Sequence, residues 1–138
     1  MPAFKFRRAV RFDEVDAAGL VYFPRVVALA HEGLEQMLAV ALPGGYPAFV
    51  VGQRIGLPCV HVESDFKGPL RFGDEVEVAM TVAGFGTSSV AFDVEVTRGD
   101  GNPCAKMRYI VACADLEGSP RKRDLPADLK AALAKHLK

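Results

Sequence analysis

Three carboxylates fall within four positions near the start of the chain, at Asp13, Glu14 and Asp16, with Gly19 and Pro24 close behind. A carboxylate held at the junction of two rigid elements can attack a carbonyl or take a proton from water. The ordinary role of a loop aspartate is a turn or a cap, and catalysis at Asp16 is weighed against that. Asp13 and Glu14 read as solvated loop charge. The three acids lack the spacing and closing bidentate glutamate of a calcium loop. Cys59 and His61 lack zinc spacing and a fourth ligand. No nucleophile elbow surrounds Ser88 or Ser89. The Gly84-x-Gly86 pair precedes a strand rather than a helix, so it reads as a turn. Neither a metal nor a cofactor is expected.

The elements that must hold this loop are legible on both sides. Before it, Phe4, Phe6, Val10 and Phe12 share one parity and Lys5, Arg7 and Arg11 the other, the alternation of a half-buried strand that Arg8 interrupts. After it, Pro24 suits the first turn of a helix. Val27, Ala30, Leu34, Leu38 and Ala41 then recur at helical spacing, with His31 at the border of the apolar stripe. Gly33 implies close approach of that helix to its partner, and Pro43-Gly44-Gly45 ends it. Tyr46 to Ile55 reads either as a short helix ended by Gly56 or as a lid-like loop.

Four strand-like runs follow. The first covers Leu57 to Lys67, the second is built on Val76, Val78, Met80 and Val82, and the third on Val90, Phe92, Val94 and Val96. The fourth, Cys104 to Asp115, is apolar on both parities after Lys106 and Arg108, which predicts burial on both faces. Gly84–Thr87 and Gly99–Asn102 are tight connections. Short turns between successive strands imply an antiparallel sheet, and the one long helix has no other partner. The expected fold is α+β, a five-stranded antiparallel sheet wrapped around a central helix in the order β-α-β-β-β-β. An amphipathic helix from Pro126 to Leu137 closes the chain.

The 138 residues form a single domain over 1–138, half hydrophobic and a quarter charged, with zero formal net charge. Zero net charge points away from nucleic acid and from charged membrane surfaces. No apolar run reaches the roughly 18 residues of a membrane span. Cys59, Cys104 and Cys113 lie in apolar runs, which predicts buried reduced thiols and a cytoplasmic protein.

Element order and motifs together resemble the hotdog-fold acyl-CoA thioesterases of the 4-hydroxybenzoyl-CoA thioesterase family, and the related enzymes encoded beside the Tol–Pal genes. Asp16-Ala17-Ala18-Gly19-Leu20-Val21-Tyr22-Phe23-Pro24 carries the likeness, supported by Phe66-Lys67-Gly68-Pro69-Leu70-Arg71-Phe72-Gly73-Asp74 and by Gly86-Thr87-Ser88-Ser89-Val90-Ala91-Phe92. The resemblance implies hydrolysis of a short-chain or aromatic acyl-CoA. Asp16 would be nucleophile or general base, and the Phe23 N–H would polarise the thioester oxygen. Gly19, Tyr22, His31 and Phe49 would border the acyl group. The cations the family often places at the start of the strand after the tight turn are replaced here by Gly86-Thr87-Ser88. Arg71, Ser88, Arg121 and Arg123 therefore stand as the coenzyme-binding candidates, and an acyl-carrier-protein thioester stays open as a substrate. So does a hotdog module that binds acyl thioesters without hydrolysing them. The resemblance also implies a homo-oligomer, dimer or tetramer, with its sites at the dimer interface.

Overall fold

A computed structural model describes residues 3–138. Strand β1 spans Phe4–Ala9, and a 3-10 turn over Phe12–Glu14 leads to the loop that carries Asp16. Helix α1 runs Phe23–Ala41, one residue ahead of Pro24. A single turn, α2 at Gly45–Pro47, continues as a wide helical turn over Ala48–Gly52, which settles the ambiguous segment as helical. Then come β2 (Ile55–Gly56), β3 (Cys59–Phe66), β4 (Glu75–Phe85), β5 (Ser89–Arg98) and β6 (Pro103–Ala112). The two-residue strands β7 (Ala114–Asp115) and β8 (Arg121–Lys122) precede α3 (Ala127–Ala134).

The main sheet is antiparallel, in the order β1-β4-β5-β6-β3. Its inner face presents Val76, Val78, Met80 and Val82 from β4, then Val90, Phe92, Val94 and Val96 from β5, all fully buried. Against them lies the stripe of α1 formed by Val26, Leu29, Ala30, Leu34, Met37 and Leu38. Gly33 explains how close the two layers come. A Cβ built there would sit 2.2 Å from the Met80 sulfur, which is itself completely buried.

Four expectations need correction. Strand β6 is not buried on both faces: Tyr109 and Val111 point inward, while Ile110 and Ala112 are only half-buried, because no layer covers the outer face among the described residues. That face instead pairs its charges, Arg7 with Glu77 and Asp93 with both Arg108 and Lys138. Strand β3 does not alternate between core and solvent. It is an edge strand, and Val60, Val62 and Phe66 are exposed along with its acids. Cys59, at the start of that edge, is exposed, whereas Cys104 and Cys113 are buried thiols as expected. Finally, the closing helix stops at Ala134. His136 to Lys138 turn to bond the backbone of Val82, occupying the edge of β4 beyond the end of β1.

A second, three-stranded sheet in the order β2-β7-β8 was not legible, since two-residue strands carry no period. It sits at the end of the main sheet where β3 begins and β6 ends. The close approach at Gly33 predicts that Gly33→Val lowers unfolding stability by about 2 kcal/mol, because the fully buried Met80 side chain must shift to admit it. Urea denaturation measures this.

Candidate active site

The position of Asp16 is set by charge pairing that begins in β1. Arg8 falls on the inner parity, where the sequence shows an interruption. Its guanidinium makes two parallel hydrogen bonds to Glu14, Nη1 to Oε1 at 2.7 Å and Nη2 to Oε2 at 2.6 Å. Its Nε donates to Glu32 of α1 at 2.7 Å. Arg8 and Glu14 keep only 14% and 10% of their side chains exposed, so Glu14 is a buried partner and not the solvated charge expected of it. The Glu14 carboxylate also accepts the Arg11 backbone N–H at 2.8 Å, closing the 3-10 turn. The Arg8 guanidinium holds the Glu14 carboxyl below its ordinary value of 4.5. One cation thereby ties the strand before the loop, the loop itself and the helix after it.

From that anchor the chain makes a small antiparallel excursion, with Val15 bridged to Val21 and the Asp16 N–H donating to the Leu20 carbonyl at 2.9 Å. Asp16 stands at its tip. The tip closes with the Gly19 N–H on the Asp16 carbonyl, and Gly19 takes φ +81°, a left-handed conformation that disfavours a side chain. Nothing crowds its missing Cβ, so the glycine is required by backbone geometry alone. Oδ1 of Asp16 accepts the Ala18 N–H at 2.9 Å and the Leu20 N–H at 3.4 Å. These bonds hold Oδ1 in place and leave Oδ2 outside the turn's hydrogen bonds. The loop is also pinned from outside, since Val21 donates to the Leu70 carbonyl at 2.8 Å and Leu20 bridges Arg71.

Tyr22 follows as the N-cap of α1, its N–H on the Glu14 carbonyl at 3.0 Å, and Phe23 opens the helix. Pro24 has no N–H, so Phe23 supplies the leading N–H at the positive end of the helix dipole. Both aromatic rings are more than half exposed, and the Phe23 ring meets Phe66 of β3 edge-to-face at 6.2 Å. A trough starts there, between α1 and the β3 edge. Its helix wall is the i, i+4 series Phe23, Val27 and His31, with Phe23 against Phe66 and His31 against Tyr109. The inner parity of β3 supplies Phe66, Ser64 and Val62, registered opposite Ala105, Met107 and Tyr109. The Ser64 hydroxyl is buried there without a hydrogen-bond partner.

The structure brings Asp16, Gly19, Tyr22, Phe23 and Arg71 to one end of this trough and His31 to its middle. His31 Nδ1 lies 3.2 Å from the Tyr109 hydroxyl, and its ring meets Tyr46 edge-to-face. Phe49 is placed elsewhere: its side chain is 2% exposed in the core, because the wide helical turn points Phe49 inward and Val51 outward. Ser88 is also withdrawn, 6% exposed, with its carbonyl accepting the Cys113 N–H at 2.6 Å. Burial removes Ser88 alone from the coenzyme-binding candidates, since Gly86 and Thr87 beside it are exposed. Arg121 and Arg123 lie at the opposite end of the chain's trough, on or beside the small sheet, where Arg121 faces Asp115 at 3.8 Å. Arg54 joins them, paired with Glu117 at 3.6 Å. Glu35, one turn along the helix, lies 3.5 Å from His31 Nε2. Among the described residues no group of His, Cys, Asp and Glu is placed to hold a metal ion. No single helix is long and apolar enough to cross a membrane.

An antiparallel five-stranded sheet wrapped around one long helix is the hotdog fold. The profile of the thioesterase-like superfamily matches residues 10–133. A 1,4-dihydroxy-2-naphthoyl-CoA hydrolase of Synechococcus elongatus is 30% identical over 94% of this chain and 94% of its own. Another from Trichodesmium erythraeum is 35% identical over 68% and 67%. The solved structure of a 1,4-dihydroxy-2-naphthoyl-CoA thioesterase from Synechocystis superposes with a TM-score of 0.85 at 25% identity, covering 96% of each chain. The dynemicin thioesterase gives a TM-score of 0.86 at 28% identity, over 99% of this chain and 98% of its own. The chain belongs to the thioesterase-like superfamily and is an acyl-CoA thioesterase.

The charge anchor carries a pH signature. Because the folded Glu14 carboxyl is depressed, its stabilisation is complete above about 4.5 and is lost as pH falls through the lower folded value. Wild type should lose stability progressively below pH 4.5, and Glu14→Gln should flatten part of that slope. At neutral pH Arg8→Met, which strands two carboxylates, should cost about 3 kcal/mol. Denaturant titrations across pH measure both.

Proposed function

We propose that the chain hydrolyses an aromatic acyl-CoA, with a hydroxylated naphthoyl group as the first candidate, through Asp16. The observation that carries this reading is the Asp16 carboxylate, held through Oδ1 and leaving Oδ2 open, in the loop that leads directly into α1. A thioester has weak resonance stabilisation, so one carboxylate suffices without a metal. Either Oδ2 attacks the carbonyl carbon, expelling the CoA thiolate and leaving a mixed anhydride that water cleaves, or Asp16 removes a proton from the attacking water. Both routes end in free acid and CoA. In both, negative charge grows on the carbonyl oxygen, where the Phe23 N–H and the dipole of α1 stabilise it. One preorganised donor of this kind is worth roughly 2.7–4 kcal/mol. The choice of an aromatic acyl group follows the substrates named for the relatives and the phenylalanines that line the trough entrance.

The working unit in this reading is a homodimer. Asp16 is exposed in a single copy, and a hydrolase of this type works by excluding water around the developing charge. The unpaired edge of β3 is eight residues long and bears Val60, Val62 and Phe66, a template for pairing with another strand. Antiparallel pairing of two β3 edges lays the Cys59 end of one copy beside the Phe66 end of the other. That brings Arg121, Arg123 and Arg54 of the second copy toward Asp16 of the first, with Arg71 already there, as cations for the coenzyme phosphates. Three unpaired thiols, one of them exposed, fit a reducing cytoplasm.

Two measurements test these claims. Thiol release from 1,4-dihydroxy-2-naphthoyl-CoA and a panel of benzoyl and short aliphatic CoA esters should favour the aromatic substrates. Asp16→Asn should cut kcat/KM by roughly 10²–10⁴-fold, the range for a lost general base; hydrolysis at the wild-type rate would discard Asp16. Val60→Lys with Val62→Lys on the β3 edge should convert a dimer or larger assembly to monomer in light scattering and abolish turnover while α1 stays folded by circular dichroism.

A further inference from the structure

The open edge of β3 has a definite backbone polarity. The Lys67 N–H donates to the Cys104 carbonyl at 2.8 Å, toward β6. Backbone groups alternate sides along a strand. Asp65 and Glu63 therefore turn theirs to β6 as well, and Phe66, Ser64 and Val62 turn theirs to the open edge. The same alternation sorts the side chains. His61, Glu63 and Asp65 stand on the outer face, in register with Ile110, Arg108 and Lys106, while Val62, Ser64 and Phe66 stand on the inner face. When two copies of this edge pair antiparallel about a twofold axis, residues from the same face meet, and the residue on the axis defines the register.

The side chains of the outer face separate the choices, because like charges directly opposite one another destabilise a strand pair and complementary ones stabilise it. Glu63 on the axis sets two Glu63 carboxylates against each other, and Asp65 on the axis does the same with Asp65. Ser64 on the axis makes each Glu63 face Asp65 of the second copy. Its hydroxyl offers no compensation, since that oxygen is buried within a single chain and turned away from the edge. His61 on the axis centres the ladder on the irregularity between Cys59 and His61. Val62 on the axis avoids every one of these conflicts. Val62 then meets Val62, each N–H donating to the other's carbonyl, and His61 of each chain faces Glu63 of the other. The two types are already compatible within one chain, where His61 Nε2 lies 3.3 Å from Glu63 Oε1. We propose that two copies of this chain pair through β3 with Val62 on the twofold axis and His61 against Glu63 on either side of it. The proposal rests on the reading of the β3 edge as a homodimer interface. In this register Cys59 and Val60 of the second copy lie along Ser64 and Phe66 of the first. Those two residues belong to the strand wall of the trough, so the second chain closes its open side.

Disulfide trapping reads the register directly. A disulfide needs Cα atoms about 4.4–6.8 Å apart, and directly opposed residues of an antiparallel pair are about 4.5–5.5 Å apart. In a Cys59→Ser background, which removes the exposed thiol, Val62→Cys should give a disulfide-linked dimer on mild oxidation, seen on a non-reducing gel. Glu63→Cys and Ser64→Cys should remain single chains, because each lies beyond disulfide reach of its own counterpart. Sedimentation supplies a second readout. His61→Glu sets carboxylate against carboxylate at both symmetry-related positions and should raise the dimer dissociation constant about tenfold. His61→Gln keeps a donor for Glu63 and should stay near the wild-type value. Cross-linking of Glu63→Cys or Ser64→Cys in place of Val62→Cys overturns the register and leaves the dimer reading standing. So does a His61→Glu variant that associates as tightly as wild type. A wild type that sediments as a monomer overturns the dimer reading and the register with it.

Discussion

The fold places one cation where an apolar residue would otherwise go, and much of the site depends on it. Arg8 sits on the core parity of β1 and is held by Glu14 from the loop and Glu32 from the helix. Buried ion pairs seldom add net stability over an apolar replacement of equal volume. What this one adds is position. A bidentate guanidinium–carboxylate pair has a fixed plane and direction, so the loop from Phe12 to Tyr22 cannot slide relative to the sheet or to α1. The Asp16 carboxylate and the Phe23 N–H thereby acquire a defined relation although six residues of loop separate them.

On this anchor the rest is arranged as a gradient along one helix. The N-terminal end of α1 meets exposed phenylalanine rings and a positive dipole. Its middle is pressed onto Met80 by Gly33, and its boundary face turns outward through Val27 to His31 and Glu35. The opposite wall is an edge strand with no neighbour. A single chain therefore leaves the Asp16 carboxylate exposed near an apolar strand edge. In the proposed dimer, a second strand laid along β3 would cover both at once.

Much of the architecture could be read from pattern. The period of 2 in β4 and β5, the period of 3.6 in α1 and the turns between them required an antiparallel sheet around a helix, and the structure has one. The motif around Asp16 and Gly19 lay where the strand and helix signals predicted a junction. Misreadings cluster where one residue's environment depends on residues far away in sequence. Glu14 looks like any loop acid until Arg8 is folded against it. Val60, Val62 and Phe66 alternate as a core strand would, yet they lie at an edge. Phe49 was given to the substrate and belongs to the core.

The sequence by itself determined which segments are strands and helix, that they form one layer around another, and which loop joins them with an aspartate at its centre. Those are consequences of local periodicity and of backbone rules for glycine and proline, which act over a few residues. Only the tertiary structure decided strand order, and with it that β3 is an edge and that Arg121 and Arg123 lie far from Asp16 within one chain. It also decided that Arg8 is the buried keystone of the loop and that His31 lies against Tyr109. Each of these is a pairing between distant segments, and a pairing has no signature in either segment alone. Asp16 was visible from the start as an acid in a loop; its orientation came from the fold.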